Sequence, residues 1–335
     1  MSNPWIIDEA DFYELETHAE QMNFLLRYAI LAPSGHNSQP WSFRITRDGV
    51  QVFADTSRRL MIVDRDDREL LMSIGAAITN FRVAAAHFGF DTTVGYEDGS
   101  IESLPLATIF VCETCAPNNE LAALFPAIAR RHTNREPYDE QQLDPAALQA
   151  ICDVIDAHPS TLRLIQPRDK ARVAECVATA DHILMARPAY RAELAEWIGN
   201  PAERKDGVSP EALAVPRILS NVAPWVIRNF GAGDLQARRD VELTLSASML
   251  IVVTSDADQV SLVKAGETFE QLLLTITQHG LQYSLLSAPV SVDGPRAQLR
   301  EMIGNAREPQ LLLRVGSAAT TAHATPRRPI ERVIV

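Results

Sequence analysis

The stretch ILAPSGHNSQPWSFRI, Ile30 to Ile45, decides how the rest of the chain is read. It leaves a segment with helical apolar spacing (Met22, Leu25, Leu26, Ala29, Ile30) and runs into an alternating strand pattern at Trp41, Phe43 and Ile45. Between the two, Pro33 and Pro40 enclose Ser34-Gly35-His36-Asn37-Ser38-Gln39, all small or polar. A nucleophile reading of Ser34 and His36 is disfavoured: side chains at i and i+2 rarely meet as a nucleophile–base pair, and no G-x-S-x-G elbow surrounds the serine.

The 335-residue chain is long enough for one large domain or two ordinary ones. A content of 46% hydrophobic and 22% charged residues is globular, and a formal charge of −12 argues against a nucleic-acid or anionic-membrane surface. A small-molecule ligand is the better expectation. Residues Met1 to Tyr13 carry Asp8, Glu9 and Asp11 with no basic start and apolar core, and no apolar run approaches the roughly 20 residues of a membrane helix. A cytoplasmic protein without a membrane segment is expected. Cys112, Cys115, Cys152 and Cys176 are too few and scattered for a disulfide framework. The C-x-x-C pair Cys112/Cys115 reads as buried thiols, with no second pair to complete a metal site.

Outward from the opening stretch, Trp41–Thr46 and Val50–Ala54 are predicted to form a hairpin across Asp48-Gly49, followed by a helix over Glu69–Phe88 that Gly89 stops. A strand at Ala107–Cys112 and a helix from Asn119 to Arg131 lead to the polar segment RRHTNREPYD. A helix starts at Asp144-Pro145, with aspartate as N-cap and proline at the first helical position. Then come a strand near Leu162–Ile165, a helix over Arg172–Ala186 and an irregular stretch up to Gly233, too long for an ordinary loop; 187–233 is read as a lid or packed extension, the alternative being a surface excursion with short helices. The last part holds a strand at Met249–Thr254, a helix over Gln259–His279 stopped by Gly280, and strands at Gln282–Ser287 and Leu311–Val315. AAAHFGFDTTV (Ala84–Val94) echoes TITQHGLQYSLL (Thr275–Leu286), so the chain reads as two related halves of one α/β core.

Two basic segments stand out. Arg131, Thr133 and Arg135 alternate, so an extended backbone would project two guanidiniums and a hydroxyl to one side, which suits a phosphate. Arg327-Arg328 lie in the tail ATPRRPIERVI between stiffening prolines. No GxGxxG or P-loop is present, so side chains would have to hold the phosphate.

The segment APSGHNSQPW (Ala32–Trp41) resembles the signature of the FMN-dependent nitroreductase family, in which a segment of this form lies across the flavin from the opposite subunit of a dimer. Arg131-His-Thr-Asn-Arg135 is similar to that family's R-x-S-x-R, with threonine keeping the hydroxyl. In ordinary members the arginine motif comes first; here the order is reversed, and each half carries only one of the two signatures. This resembles the fused, pseudo-dimeric Acg-like subfamily, and implies an α/β (α+β) nitroreductase-like fold with halves at 1–125 and 126–335. It implies one FMN per chain. The phosphate would lie on Arg131, Arg135 and one of Arg327 and Arg328, and Thr133 on phosphate or ribityl. Ser34, Gly35, His36, Asn37 and Gln39 would line the cofactor, and Ser287-Ala288 would lie near flavin N5. The expected activity is reduction of an electrophilic small-molecule acceptor, a nitroaromatic or quinone, by NAD(P)H; the alternative is a flavin-sequestering protein with little turnover. The flavin carries the redox chemistry, so no catalytic residue is assigned. One chain supplies both halves of a site, so a monomer suffices, and a dimer stays open.

Overall fold

The computed structural model describes residues 3–139, 142–199, 204–209, 222–230, 233–304, 307–320 and 322–335. Helix α1 (His18–Ala29) starts at a capping box: the Thr17 hydroxyl accepts from Glu20 N (3.2 Å), and the Glu20 carboxylate accepts from Thr17 N (3.0 Å). Its buried face, Met22, Leu25, Leu26 and Ala29, is the one the apolar spacing predicts. The chain then forms the antiparallel hairpin of β1 (Trp41–Thr46) and β2 (Gly49–Ala54), and helix α2 (Arg68–His87). Next are β3 (Asp91–Tyr96), β4 (Ala107–Cys112), α3 (Asn119–Ala123) and α4 (Phe125–Ile128). The sequence suggests one helix to Arg131; the structure breaks it at Leu124, because Pro126 has no N–H to continue the ladder.

The remainder holds α5 (Pro145–Ala157), β5 (Leu162–Leu164), α6 (Lys170–Ala186), α7 (Pro188–Trp197), α8 (Ala223–Asn229), α9 (Gly233–Ser246), β6 (Met249–Ser255), α10 (Gln259–Gln278), β7 (Gln282–Leu285), α11 (Asp293–Met302) and β8 (Glu308–Gly316). The two four-stranded antiparallel sheets have equivalent orders, β1-β2-β4-β3 and β5-β6-β8-β7. The fold is therefore α/β with two related halves, as the glycine-ended helices suggest. The main difference between them is the connection from β5 to β6, where α6 to α9 replace the tight turn of the first hairpin. The stretch expected to be irregular thus contains α7 and α8, and α9 begins at its end. Of the segment read as a lid, residues 200–203, 210–221 and 231–232 lie outside the described residues.

The thiol reading of Cys112 and Cys115 is corrected: they form a disulfide, with Cα atoms 5.5 Å apart. Burial ends with β4, so Cys112 is only half-buried and Cys115 is exposed, and the turn after the strand brings them together. Among the described residues no helix is long and apolar enough to cross a membrane.

The halves meet through α2 and α10, the most extensive helix pairing among the described residues. Gly75 and Gly266 occupy the same place in two 20-residue helices, and each lies against the backbone of the other helix. A Cβ on Gly75 would fall 2.0 Å from Val263 O, and one on Gly266 2.1 Å from Met72 O. One continuous apolar core runs across this crossing, from Trp41, Phe43 and Phe81 to Leu272, Leu273 and Leu313.

Each sheet also gains an edge partner from outside its strands, the first sheet from the other half. Phe43 of β1 bonds the C-terminal tail, accepting from Val335 N (2.9 Å) and donating to Val333 O (2.7 Å). The RHTNR segment pairs Thr133 in parallel with Tyr283 of β7, and Asn134 N donates to Tyr283 O (2.9 Å).

Replacing Gly266 by alanine should separate the two helices. We expect a loss of about 1–3 kcal/mol from overpacking, which outweighs the roughly 1 kcal/mol that alanine gains over glycine in a helix. Gly294→Ala in α11, where a Cβ meets nothing within 4 Å, should be neutral or stabilising. Urea melts of the two variants check the contrast.

Candidate functional site

The segment between the prolines folds as a tight re-entrant. The Ser34 hydroxyl accepts from Gln39 N (2.9 Å), Asn37 N donates to Ser34 O (2.9 Å) and Ser38 N to Gly35 O (2.9 Å). His36, Asn37 and Gln39 are left-handed, with φ of 50°, 54° and 53°. Non-glycine residues there are each strained by about 1–3 kcal/mol, so the surroundings must hold them. Gly35 sits against a side chain: a Cβ would fall 2.5 Å from Glu69 Oε2, so a larger residue would displace that carboxylate.

The two amides hold the turn to distant segments. Asn37 Nδ2 donates to Pro326 O and Gly207 O (3.1 Å each), and its Oδ1 accepts from Arg327 Nη1 (3.1 Å). Gln39 Oε1 accepts from Arg328 N (2.8 Å), and Nε2 donates to Lys205 O (2.8 Å). The motif thus clasps the C-terminal tail on one side and residues 205–207 on the other. Arg58 adds an ion pair to Asp206, and Glu193 of α7 accepts from Ile62 N (2.8 Å) and Val63 N (3.0 Å).

The four arginines from which the phosphate ligands are expected differ in environment. Arg131 turns into the core, with Nε 3.2 Å from the Glu270 carboxylate and further donors on Leu31 O and the Tyr283 hydroxyl. Arg327, buried under Trp5, donates to Ile30 O (2.8 Å), Leu31 O (2.8 Å) and Ala32 O (3.1 Å), the carbonyls that leave α1. Desolvation first, and the neighbouring Arg131 second, bring its pKa down to about 9. Arg328 pairs with Asp55 (3.1 Å). Arg135 is the exception: its guanidinium makes no hydrogen bond or ion pair among the described residues, and burial depresses its pKa. The alternation of Arg131, Thr133 and Arg135 therefore does not give one shared basic face. Arg131 is drawn inward by Glu270, Thr133 pairs with Tyr283, and Arg135 keeps free donors.

Several residues of this region escape the sequence reading. Arg314 of β8 is fully buried, stacks 4.0 Å over the Tyr138 ring and donates through Nη2 to Asn134 O and Glu136 O (3.0 Å each), which shapes the loop carrying Arg135. Its Nε and Nη1 have no hydrogen-bond partner among the described residues. The available signal was a lone arginine inside the apolar run Leu311-Leu312-Leu313-Arg314-Val315. Ser287 and Ala288 lie where β7 passes into a short 3-10 turn. Glu69, wedged against Gly35, hydrogen-bonds Ser287, and burial followed by the charge of Asp64 raises its pKa to about 7. Asp181 of α6 is buried beside Asp240 of α9, and desolvation followed by that second carboxylate raises it to about 8. The arrangement joins a strained polar turn of the first half, free guanidinium donors of the second, and a carboxyl pair of the inserted helices, Asp181 and Asp240, whose pKa values burial raises. Such a set can hold an anionic, flat, polar-edged ligand.

His36 stays neutral here, because desolvation, then the charge of Arg135, lowers its pKa from 6.5 to about 4. The unfolded chain takes up that proton first, so this residue's contribution to stability is complete above about pH 6.5 and is lost as pH falls toward 4. His36→Asn keeps a residue tolerant of the left-handed region and removes the titration. Its melting temperature should fall less steeply than that of the wild type between pH 6.5 and 4 in scanning calorimetry.

No family model matches the chain. It is 29% identical over 334 residues to "Putative NAD(P)H nitroreductase Rv3131" of Mycobacterium tuberculosis, covering 96% of this chain and 93% of the relative. It is 29% identical over 317 residues to "Putative NAD(P)H nitroreductase acg" of the same organism, covering 92% and 93%. The crystal structure of a "putative nitroreductase" from Anabaena variabilis superposes with a TM-score of 0.50 at 10% identity, covering 93% of this chain and 91% of that one. The chain thus has a nitroreductase-like fold and resembles, over nearly its whole length, Acg-like proteins named as NAD(P)H nitroreductases.

Proposed function

We propose that the chain binds one FMN and is an oxidoreductase that uses NAD(P)H to reduce an electrophilic small molecule of the nitroaromatic or quinone class. The observation that carries this reading is the Arg135 guanidinium, unpartnered among the described residues, beside the two free donor nitrogens of Arg314 and across from the strained Ser34–Gln39 turn. A half-buried and a fully buried guanidinium with unused N–H groups fit a phosphate dianion. The names of the relatives support the same assignment.

In this reading Arg135 is the principal phosphate ligand. Arg131 and Arg327 supply positive charge from fixed positions, and Thr133 lies within the same segment. Ser34, Gly35 and His36 line the cofactor from the first half. Asn37 and Gln39 keep the turn in shape through the tail and through Lys205 and Gly207. Arg328 secures the tail on Gln39 and Asp55. Ser287 and Ala288 border the ring, and small side chains there leave room for a reactant. FMN held there by Arg135 and the Ser34–His36 turn would supply the redox chemistry, hydride transfer between NAD(P)H and the acceptor. The chain's own part is to bind, orient and exclude water. One chain carries both halves of the site, so a monomer suffices.

A second reading, flavin sequestration with little turnover, is favoured by the ties that fasten the inserted helices over the turn: Gln39 to Lys205, Arg58 to Asp206, and Glu193 to Ile62 and Val63. Closure of this kind would slow nicotinamide access without loosening the cofactor.

Absorbance against protein concentration should give one FMN per chain; two would refute the half-and-half site. Arg135→Ala should weaken FMN retention by about 10- to 150-fold, the equivalent of one charge-assisted hydrogen bond of about 1.5–3 kcal/mol, with the fold intact by circular dichroism. Mixing the anaerobic holoprotein with NADPH separates the two readings. Rapid bleaching supports the reductase, and a flavin reducible only by dithionite supports sequestration.

A further inference from the structure

The related halves create a second place that corresponds to the proposed cofactor site, on the opposite side of the α2–α10 crossing. Thr79 occupies the position in α2 that Glu270 holds in α10, and Gln271 occupies the α10 position that Asn80 holds in α2. Tyr96, at the end of β3, follows Gly89 by the same interval as Ser287 follows Gly280. Thr79, Gln271 and Tyr96 together line a cavity of about 200 Å³.

This cavity has chemistry of its own. Sites for drug-sized ligands occupy about 300–1,000 Å³, and the Tyr96 ring stands where the other half has a small serine, so a flavin does not fit. The remaining wall carries Arg82, Lys264, His158, Thr268 and Gln271, with Glu267 as its single carboxylate. Glu267 is already satisfied: it pairs with Arg82 (3.0 Å) and accepts from the Tyr96 hydroxyl. Lys264 Nζ lies 4.6 Å from the Tyr96 ring centroid and, like the His158 ring and the Gln271 amide, makes no hydrogen bond or ion pair among the described residues. Arg82 and Lys264 both act on the one carboxylate, Glu267, so the wall keeps a net positive charge of one and several unused donors.

We propose that this cavity binds a small oxyanion, a carboxylate or a phosphate, held chiefly by Lys264 with Gln271 and His158. An oxyanion of that size fits the volume, and its charge matches the lysine. The site is separate from Arg135, so occupancy is independent of FMN.

The test is calorimetric titration of the holoprotein with inorganic phosphate and, separately, with malonate at low ionic strength. Saturable binding of either one is expected, and which one binds identifies the class of oxyanion. Lys264 is exposed, so Lys264→Met should fold normally. It should weaken binding at least tenfold while leaving FMN content and NADPH reactivity unchanged. Arg135→Ala, which addresses the proposed cofactor site instead, should bind the anion as the wild type does. Absence of saturable binding to both anions, equal affinity in Lys264→Met, or loss of binding in Arg135→Ala would overturn the proposal.

Discussion

The crossing of α2 and α10 at Gly75 and Gly266 brings two helix backbones into direct contact, and the positions of the remaining polar groups follow from that distance. With no side chain between them, Asn80 and Glu270, a little further along the two helices, are held within hydrogen-bond reach. With its amide oriented to suit both neighbours, Asn80 donates to Glu270 Oε1 (2.9 Å) and accepts from Ala32 N (3.1 Å). Ala32 begins the APSGHNSQPW segment, so the helix crossing fixes where the strained turn starts. A larger residue at either glycine would move that turn relative to the second half.

The buried network around Glu270 is poor as a source of stability and good as a source of position. Its carboxyl pKa is raised to about 7 even beside Arg131, so desolvation outweighs the attraction of the ion pair. Buried pairs of this kind often contribute little net stability, whereas removal of one partner leaves an uncompensated charge. What the network does supply is register: Arg131 and Arg327 both donate to Leu31 O, which ties the RHTNR segment and the C-terminal tail to the end of α1. The strain at His36, Asn37 and Gln39 persists because these ties, with the amide clasps, determine the turn from several sides.

The sequence shows most clearly what depends on short-range rules. Asp48-Gly49 marks the hairpin, Gly89 and Gly280 end two equivalent helices, and the apolar spacing before Ile30 marks α1. The two motifs at 34–39 and 131–135 identify the region of interest. Long-range partners decide the rest. Alternation says which side of an extended segment Arg131 faces, but not that Glu270 waits there in the core. Nothing near Asn37 and Gln39 announces that their amides meet Gly207, Lys205 and the tail. The helices α7 to α9 bury few of their residues, so their apolar pattern is weak. Cys112 and Cys115 escape as a bonded pair because a two-residue spacing between cysteines is compatible with a thiol pair, a metal site or a cross-link.

Fusion of two halves removes a constraint that a symmetric dimer cannot escape. In an isologous homodimer every substitution appears twice, so both sites must keep the same residues. Here each position changes alone. The second half has Glu270 and Ser287 where the first has Thr79 and Tyr96, and only the second carries α6 to α9 between its strands. The polar and cationic groups that converge on Leu31 O and Arg135 therefore accumulate on one side of the α2–α10 axis. The other side is free to fill its ring-sized space with Tyr96 and to satisfy Glu267 with Arg82. The asymmetry of charge across a nearly symmetric backbone is the physical record of that freedom, and it explains how one chain can hold a single complete set of motifs while keeping two copies of the scaffold.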